Sequence, residues 1–265
     1  MKVVLKILGG MLATILLLIA CLAIFVLATL KANIPDSKFV LNPPETMGGL
    51  NVLVFGASGK LGYEITERLV LRGDKVTAFV RSTSDRSRLE PLGVEFAVGD
   101  VLETATITEA FQSSDFDAAV VAIAGMNVEN LDSLGNINIA DSAKAAGVQR
   151  LVMISSVGAG DSYESAPLIS RLALSKILPQ KTLAEEHIRA SGLDYTILRP
   201  GGLPPGIVPT GRGLLSEDST TMGFIKRPDL ARMVLGVLDD DRTIGKTMTV
   251  IDPELERPWS GADPE

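Results

Sequence analysis

Three glycines, Gly56, Gly59 and Gly62, stand at three-residue intervals in the stretch NVLVFGASGKLGYEITERLV, residues 51–70. An apolar run ends at Phe55 and a helical pattern begins near Lys60, so the glycines occupy a turn between a strand and a helix. Each has its own role there. Gly56 permits the tight turn, Gly59 lets the backbone approach an oxyanion, and Gly62 lets the helix pack close to the strand. Lys60 and Leu61 open a helix N-terminus whose free N–H groups and positive dipole end attract an anion, and Ser58 adds a hydroxyl donor. The chemistry that suits this spacing is the holding of a pyrophosphate, the bridge of a dinucleotide; a close-packing turn that binds nothing is the alternative.

About 20 residues beyond such a turn, at the end of the next strand, a dinucleotide site selects its cofactor. An acid there grips a ribose 2′-hydroxyl, and an arginine accepts a 2′-phosphate. The residue here is Arg81, closing KVTAFVR and followed by Ser82, Arg86 and Arg88 in STSDRSR. NADP is therefore expected in preference to NAD. Read blandly, the same segment is a solvated basic loop.

The elements that must position these residues are visible from residue 50 onward. Short β-rich apolar runs, NVLVFG, KVTAFVR, VEFAVGD, DAAVVAIAG, RLVMISS, DYTILRP and KTMTVID, alternate with helical patterns at residues 60–72, 104–112, 135–146, 181–191 and 228–238. Seven such runs interleaved with helices predict an α/β class, a Rossmann fold with a doubly wound, seven-stranded parallel sheet covered on both faces.

Charge and cysteine usage narrow the partners. The 265 residues hold 32 acidic and 25 basic side chains, and Lys2 and Lys6 lie before the soluble part. No basic stripe is left to neutralise phosphates along a nucleic acid, so nucleic-acid binding is disfavoured. The single cysteine, Cys21, lies in the apolar N-terminal run, so neither a disulfide framework nor a cysteine-based zinc site is available to the domain, and no metal is expected.

From Ile7 to Leu30 the chain runs 24 residues without a charge. As a helix it would reach about 36 Å, enough to cross a hydrocarbon core, and a single-pass transmembrane anchor is expected. A cleaved signal peptide would have a shorter apolar core. LIAC, Leu18 to Cys21, resembles a lipoprotein box, which leaves acylation at Cys21 as another mode of attachment, although the chain stays apolar after it. Lys2 and Lys6 face Lys31 and Lys38 across the run, a small bias toward an inside N-terminus. Access to nicotinamide nucleotides argues the other way, for a cytoplasmic domain, and is preferred. Residues 1–31 then form the anchor, residues 32–49, rich in proline and glycine, a linker, residues 50–255 the NAD(P)-binding domain, and residues 256–265 a tail.

Through GASGKLG, FVR, VGDV, VMISSVGAG and AEEHIRASGLDYTILRPGGL, the chain resembles the atypical short-chain dehydrogenases/reductases, especially their NmrA-like and biliverdin/flavin-reductase-like branch, over residues 50–252. The resemblance implies one Rossmann domain with a substrate region in its C-terminal third. It implies that Asp100 and Val101 flank the adenine, that Ala122, Ile123, Ala124 and Gly125 line the path to the nicotinamide ribose, and that Pro200, Gly201 and Gly202 close over the nicotinamide.

Active members of that superfamily use a serine to hold the carbonyl, a tyrosine as general acid, and a lysine four residues later that lowers the tyrosine pKa and binds ribose. Ser155 and Ser156 stand at the serine position and Lys181 at the lysine position, but Ile177 replaces the tyrosine. Isoleucine donates no proton. Tyr163, in GDSYES, is the remaining candidate donor, with the wrong spacing to share a helix face with Lys181. His187, the only histidine, reads as a surface or packing residue. The expectation is a membrane-anchored, NADPH-dependent oxidoreductase whose acceptor, such as a flavin, quinone or tetrapyrrole, takes its proton from water. A non-catalytic NADP-binding sensor or assembly factor is the alternative, and an anchored extracytoplasmic binding module a third reading. APLISRLALSKIL, residues 166–178, reads as a lid, a membrane-facing helix or a core helix. Residues 201–226 are too rich in glycine and proline for regular structure and read as a functional loop. Together with the anchor these segments point to a small, lipophilic acceptor.

Overall fold

The structure, a computed structural model, describes residues 14–21, 32–41, 48–125 and 128–255. Strand β1 (Asn51–Phe55) leads through the glycine turn into helix α1 (Lys60–Arg72), then β2 (Lys75–Val80), β3 (Glu95–Val98), α2 (Thr104–Gln112), β4 (Ala118–Val121) and α3 (Asn136–Ala145). Strand β5 (Arg150–Ile154), the short α4 (Leu168–Ala173), α5 (Leu178–Ala190), β6 (Asp194–Pro200), β7 (Leu214–Ser216), α6 (Arg227–Leu238) and β8 (Lys246–Ile251) follow.

The sheet order is β3-β2-β1-β4-β5-β6-β8-β7, parallel except for the last pair. Alternation along β1 explains its unbroken apolar run. Val52 and Val54 pack on one face with Ile65 and Leu69 of α1 and Val234 of α6, while Leu53 and Phe55 pack on the other with Ile107, Ile139 and Ile188 of α2, α3 and α5. Both faces are covered, so neither needs polar residues. Strand order, not chain direction, reverses about the parallel β1/β4 pair, which opens a crevice at the carboxyl ends of these strands.

The expected seven strands become eight. Within the segment read as irregular, Leu214–Ser216 pairs antiparallel with β8, Leu215 opposite Val250, and all three residues are buried. A strand of three residues is too short for alternation to show, and Gly211 and Gly213 beside it carry turn signals.

The stretch read as a linker is laid against this edge. Asn33 exchanges backbone hydrogen bonds with Met222 at 2.6 and 3.0 Å, and the Phe39 N–H donates to Leu215 O at 2.8 Å. Pro35 is buried, Phe39 and Leu41 pack on the core, and Arg242 donates to Val40 O at 2.9 Å. Residues 14–21 are helical and exposed. Among the described residues no helix is long and apolar enough to cross a membrane. The rest of the expected anchor, and the 256–265 tail, lie outside the described residues.

Candidate functional site

The glycine turn is shaped by contacts that leave no room for side chains. Gly56 sits at φ +79°, and a Cβ there would come within 2.6 Å of Ala122 O on the neighbouring β4. A Cβ on Gly62 would meet Gly56 O at 2.0 Å, so α1 rests on the turn itself. Gly59 N–H donates to Gly56 O at 2.9 Å, closing the turn, and Gly59 then serves as the N-cap of α1. No side chain caps that helix and no acid lies in its first turn, so the N–H groups at its start keep their affinity for an anion.

A cavity of about 320 Å³ opens over this turn. Gly56, Ser58 and Gly59 form its floor, Arg81 and Ser84 one wall, Asp100 and Val101 another, and Ala122, Ile123, Ala124 and Gly125 the side beneath β4. Phe79, Val80, Val128 and Leu131 complete it. Three features fit a dinucleotide: glycines where any Cβ would collide, an uncapped helix start, and a mostly apolar slot running to both sides of the turn. The basic loop divides its labour. Arg86 lies over the Phe96 ring at 5.3 Å and Arg88 over Tyr63 at 3.6 Å, while Arg81 stays exposed on the cavity wall. Arg81 and Ser84 close a small turn, Arg81 N–H donating to Ser84 Oγ at 3.2 Å and Ser84 N–H to Arg81 O at 3.0 Å.

Behind the wall, tied to it through Gly125, lies a buried ionic pair, neither member of which lines the cavity. Lys181 Nζ lies 3.1 Å from Asp132 Oδ1 and donates to Ile154 O at 3.1 Å, and Asp132 Oδ2 accepts Gly125 N–H at 3.1 Å. Both side chains are almost wholly buried. Asp132 is brought inward by a π-helical turn, Leu131–Gly135, entered through Asn130 in the left-handed region at φ 59°. One turn along α5 from Lys181, the fully buried Glu185 accepts from Ser155 Oγ at 2.5 Å and from Arg199 at 3.0 and 2.6 Å. Burial works against the Arg199 charge, but hydrogen bonds and charge from Glu185 and Asp161 hold its guanidinium above the usual arginine range.

The NAD(P)H-binding family matches residues 56–241, which span the glycine turn, the cavity and the lysine helix. The chain belongs to the NAD(P)H-binding family. An uncharacterized chloroplastic protein of Arabidopsis thaliana is 30% identical over 213 residues, 76% of each chain. The photosystem II assembly factor Ycf39 of Synechocystis is 23% identical over 227 residues, 81% of this chain and 65% of that one. ChuY, an anaerobillin reductase from Escherichia coli O157:H7, superposes with a TM-score of 0.71 at 28% identity, over 77% of this chain and 98% of that one. Proteins similar to this chain thus include a reductase and an assembly factor.

Within this NAD(P)H-binding domain, Gly56, Ser58, Gly59, Arg81, Asp100, Val101 and Ala122 to Gly125 are gathered on one cavity. Lys60 and Leu61 begin α1 and Gly62 packs beneath the turn; none of the three lines the wall. Pro200 and Gly201 are engaged by backbone pairing, Pro200 O with Val157 and Gly201 N–H with Val250 O, and do not line this cavity. Ser155 is turned toward Glu185, whereas the half-buried Ser156 donates only to Val157 O, at 2.9 Å. Ile177 is buried at the foot of α5, its carbonyl accepting Lys181 N–H. Tyr163 is 45% exposed with Arg171 5.1 Å above its ring, and no contact among the described residues brings it to Lys181. His187 pairs with Asp141 at 2.6 Å on the surface. Ser84, Val128, Leu131 and Asp132 escaped the sequence reading. Only Ser84 had a signal, as a turn-forming hydroxyl three residues after Arg81.

Proposed function

We propose that this protein is an NADPH-dependent reductase, tethered to a membrane by residues 7–30 with its domain in the cytoplasm, that reduces a small lipophilic acceptor. The observation that carries the cofactor choice is Arg81, which stands on the cavity wall at the end of β2 where an acid would be needed to grip an unphosphorylated ribose. When bound, the reduced nicotinamide supplies a hydride. The chain supplies the glycine cradle, the Arg81 cation, and Lys181 held in place by Asp132. Ile177 offers no proton, so the acceptor is one that water protonates after reduction. Similarity to the anaerobillin reductase supports the reductase reading.

A second reading, an NADP-binding sensor or assembly factor without turnover, is favoured by that same Ile177 and by similarity to the assembly factor Ycf39. Acylation at Cys21 is the alternative mode of attachment. Calorimetric titration of the full chain in detergent with NADPH and NADH, followed by NADPH oxidation with a flavin and quinone panel, separates these readings. Tight NADPH binding with turnover supports the reductase. Binding without turnover moves the protein to the second reading, and binding of neither nucleotide removes both.

A further inference from the structure

We propose that α4 is a membrane-docking element whose apolar face rests on the lipid surface entered by residues 7–30, an inference that rests on the anchored reading above. None of its residues is buried, and Leu168, Ile169 and Leu172 are 48%, 46% and 67% exposed. Leu168 and Leu172 are one helical turn apart, with Ile169 beside them, so three large aliphatic side chains share one exposed face. Beside it stand Tyr163 and Arg171, which is stacked over that ring at 5.1 Å and paired with the exposed Glu164 at 2.7 Å, and the exposed Lys176 follows three residues after the helix.

The position of the N-terminal segment selects a bilayer as the occupant. Asn33 and Leu168 line one open groove together with Arg171 and Met222. Asn33 is fixed there by its backbone pairing with Met222 and by Nδ2 donating to Thr220 O at 2.8 Å. The uncharged run ends at Leu30, three residues before Asn33. Whatever its conformation, a chain of that length spans no more than about 11 Å. A membrane entered at Leu30 is therefore within reach of α4.

The test uses the full chain with Cys21→Ser and a nitroxide at Leu172→Cys, and separately at Ile169→Cys, in phosphatidylcholine/phosphatidylglycerol vesicles. Leu71→Cys, at a position 79% exposed on α1, is the aqueous control. Vesicle flotation reports the anchor, and relaxation by oxygen against a water-soluble nickel chelate reports the depth of each label. The expected result is flotation, with both α4 labels several-fold more sensitive to oxygen relative to nickel than the control. Labels that match the control on floating vesicles overturn the docking and leave the anchor standing. Labels shielded from both reagents show a protein cover, a second copy or the chain's own segment, and also overturn it. A chain that does not float overturns the transmembrane anchor by residues 7–30 and the docking that rests on it, while NADPH titration continues to report the cavity independently.

Discussion

Gly62 is the position where packing and binding are hardest to separate. A methyl group there must displace Gly56 O from 2.0 Å, which lifts α1 off its own turn. Gly62→Ala is expected to cost about 1–3 kcal/mol of stability and to abolish nucleotide binding, read by thermal denaturation and calorimetry. Gly59→Ala meets only Gly56 O at 3.2 Å. Its fold should survive while affinity falls, because the new Cβ stands where a phosphate must approach. Arg81→Glu replaces a charge-assisted partner by a repelling one, and NADPH affinity should drop about ten- to a hundredfold while NADH affinity changes little. Equal weakening of both nucleotides would remove the 2′-phosphate assignment.

At the scale of elements, α5 carries two buried ionic groups one turn apart, Lys181 facing Asp132 and Glu185 facing Ser155 and Arg199. Lys181→Met alone leaves Asp132 as a buried, unpaired carboxylate and should cost about 3–5 kcal/mol. Adding Asp132→Asn should restore most of that loss, because an amide oxygen still accepts Gly125 N–H without carrying a charge. A double-mutant cycle by urea denaturation measures the coupling. The glycine turn was legible in the sequence because its geometry is local: strand, three glycines and helix lie within one short stretch. The place of Arg81 on the cavity wall was legible because one strand fixes its distance from the turn. Asp132 was not. Its role exists only once the π-helical turn and α5 have folded together, and no local spacing links it to Lys181. The same holds for Val128 and Leu131, ordinary residues until β4 delivers them to the cavity. Strand β7 was missed for a different reason, being shorter than any periodicity and flanked by glycines.

For the molecule as a whole, residues 33–41 redraw the domain boundary. A chain starting at residue 32 should keep its thermal stability. One starting at residue 50 loses the packing of Phe39 and Leu41 and bares the far side of β7, and should melt lower by about 5 °C and aggregate more readily, as differential scanning fluorimetry and light scattering would show. Among the described residues, the β7 edge of the sheet is thus occupied by the chain itself, while β3 ends the sheet on the other side. Growth of a continuous sheet from copy to copy needs both of its edges open to pairing. With Phe39 seated on Leu215, a copy added through β3 finds no second edge on which the next could grow. Residues 33–41 act, in polymer terms, as a chain terminator placed at one end of the sheet.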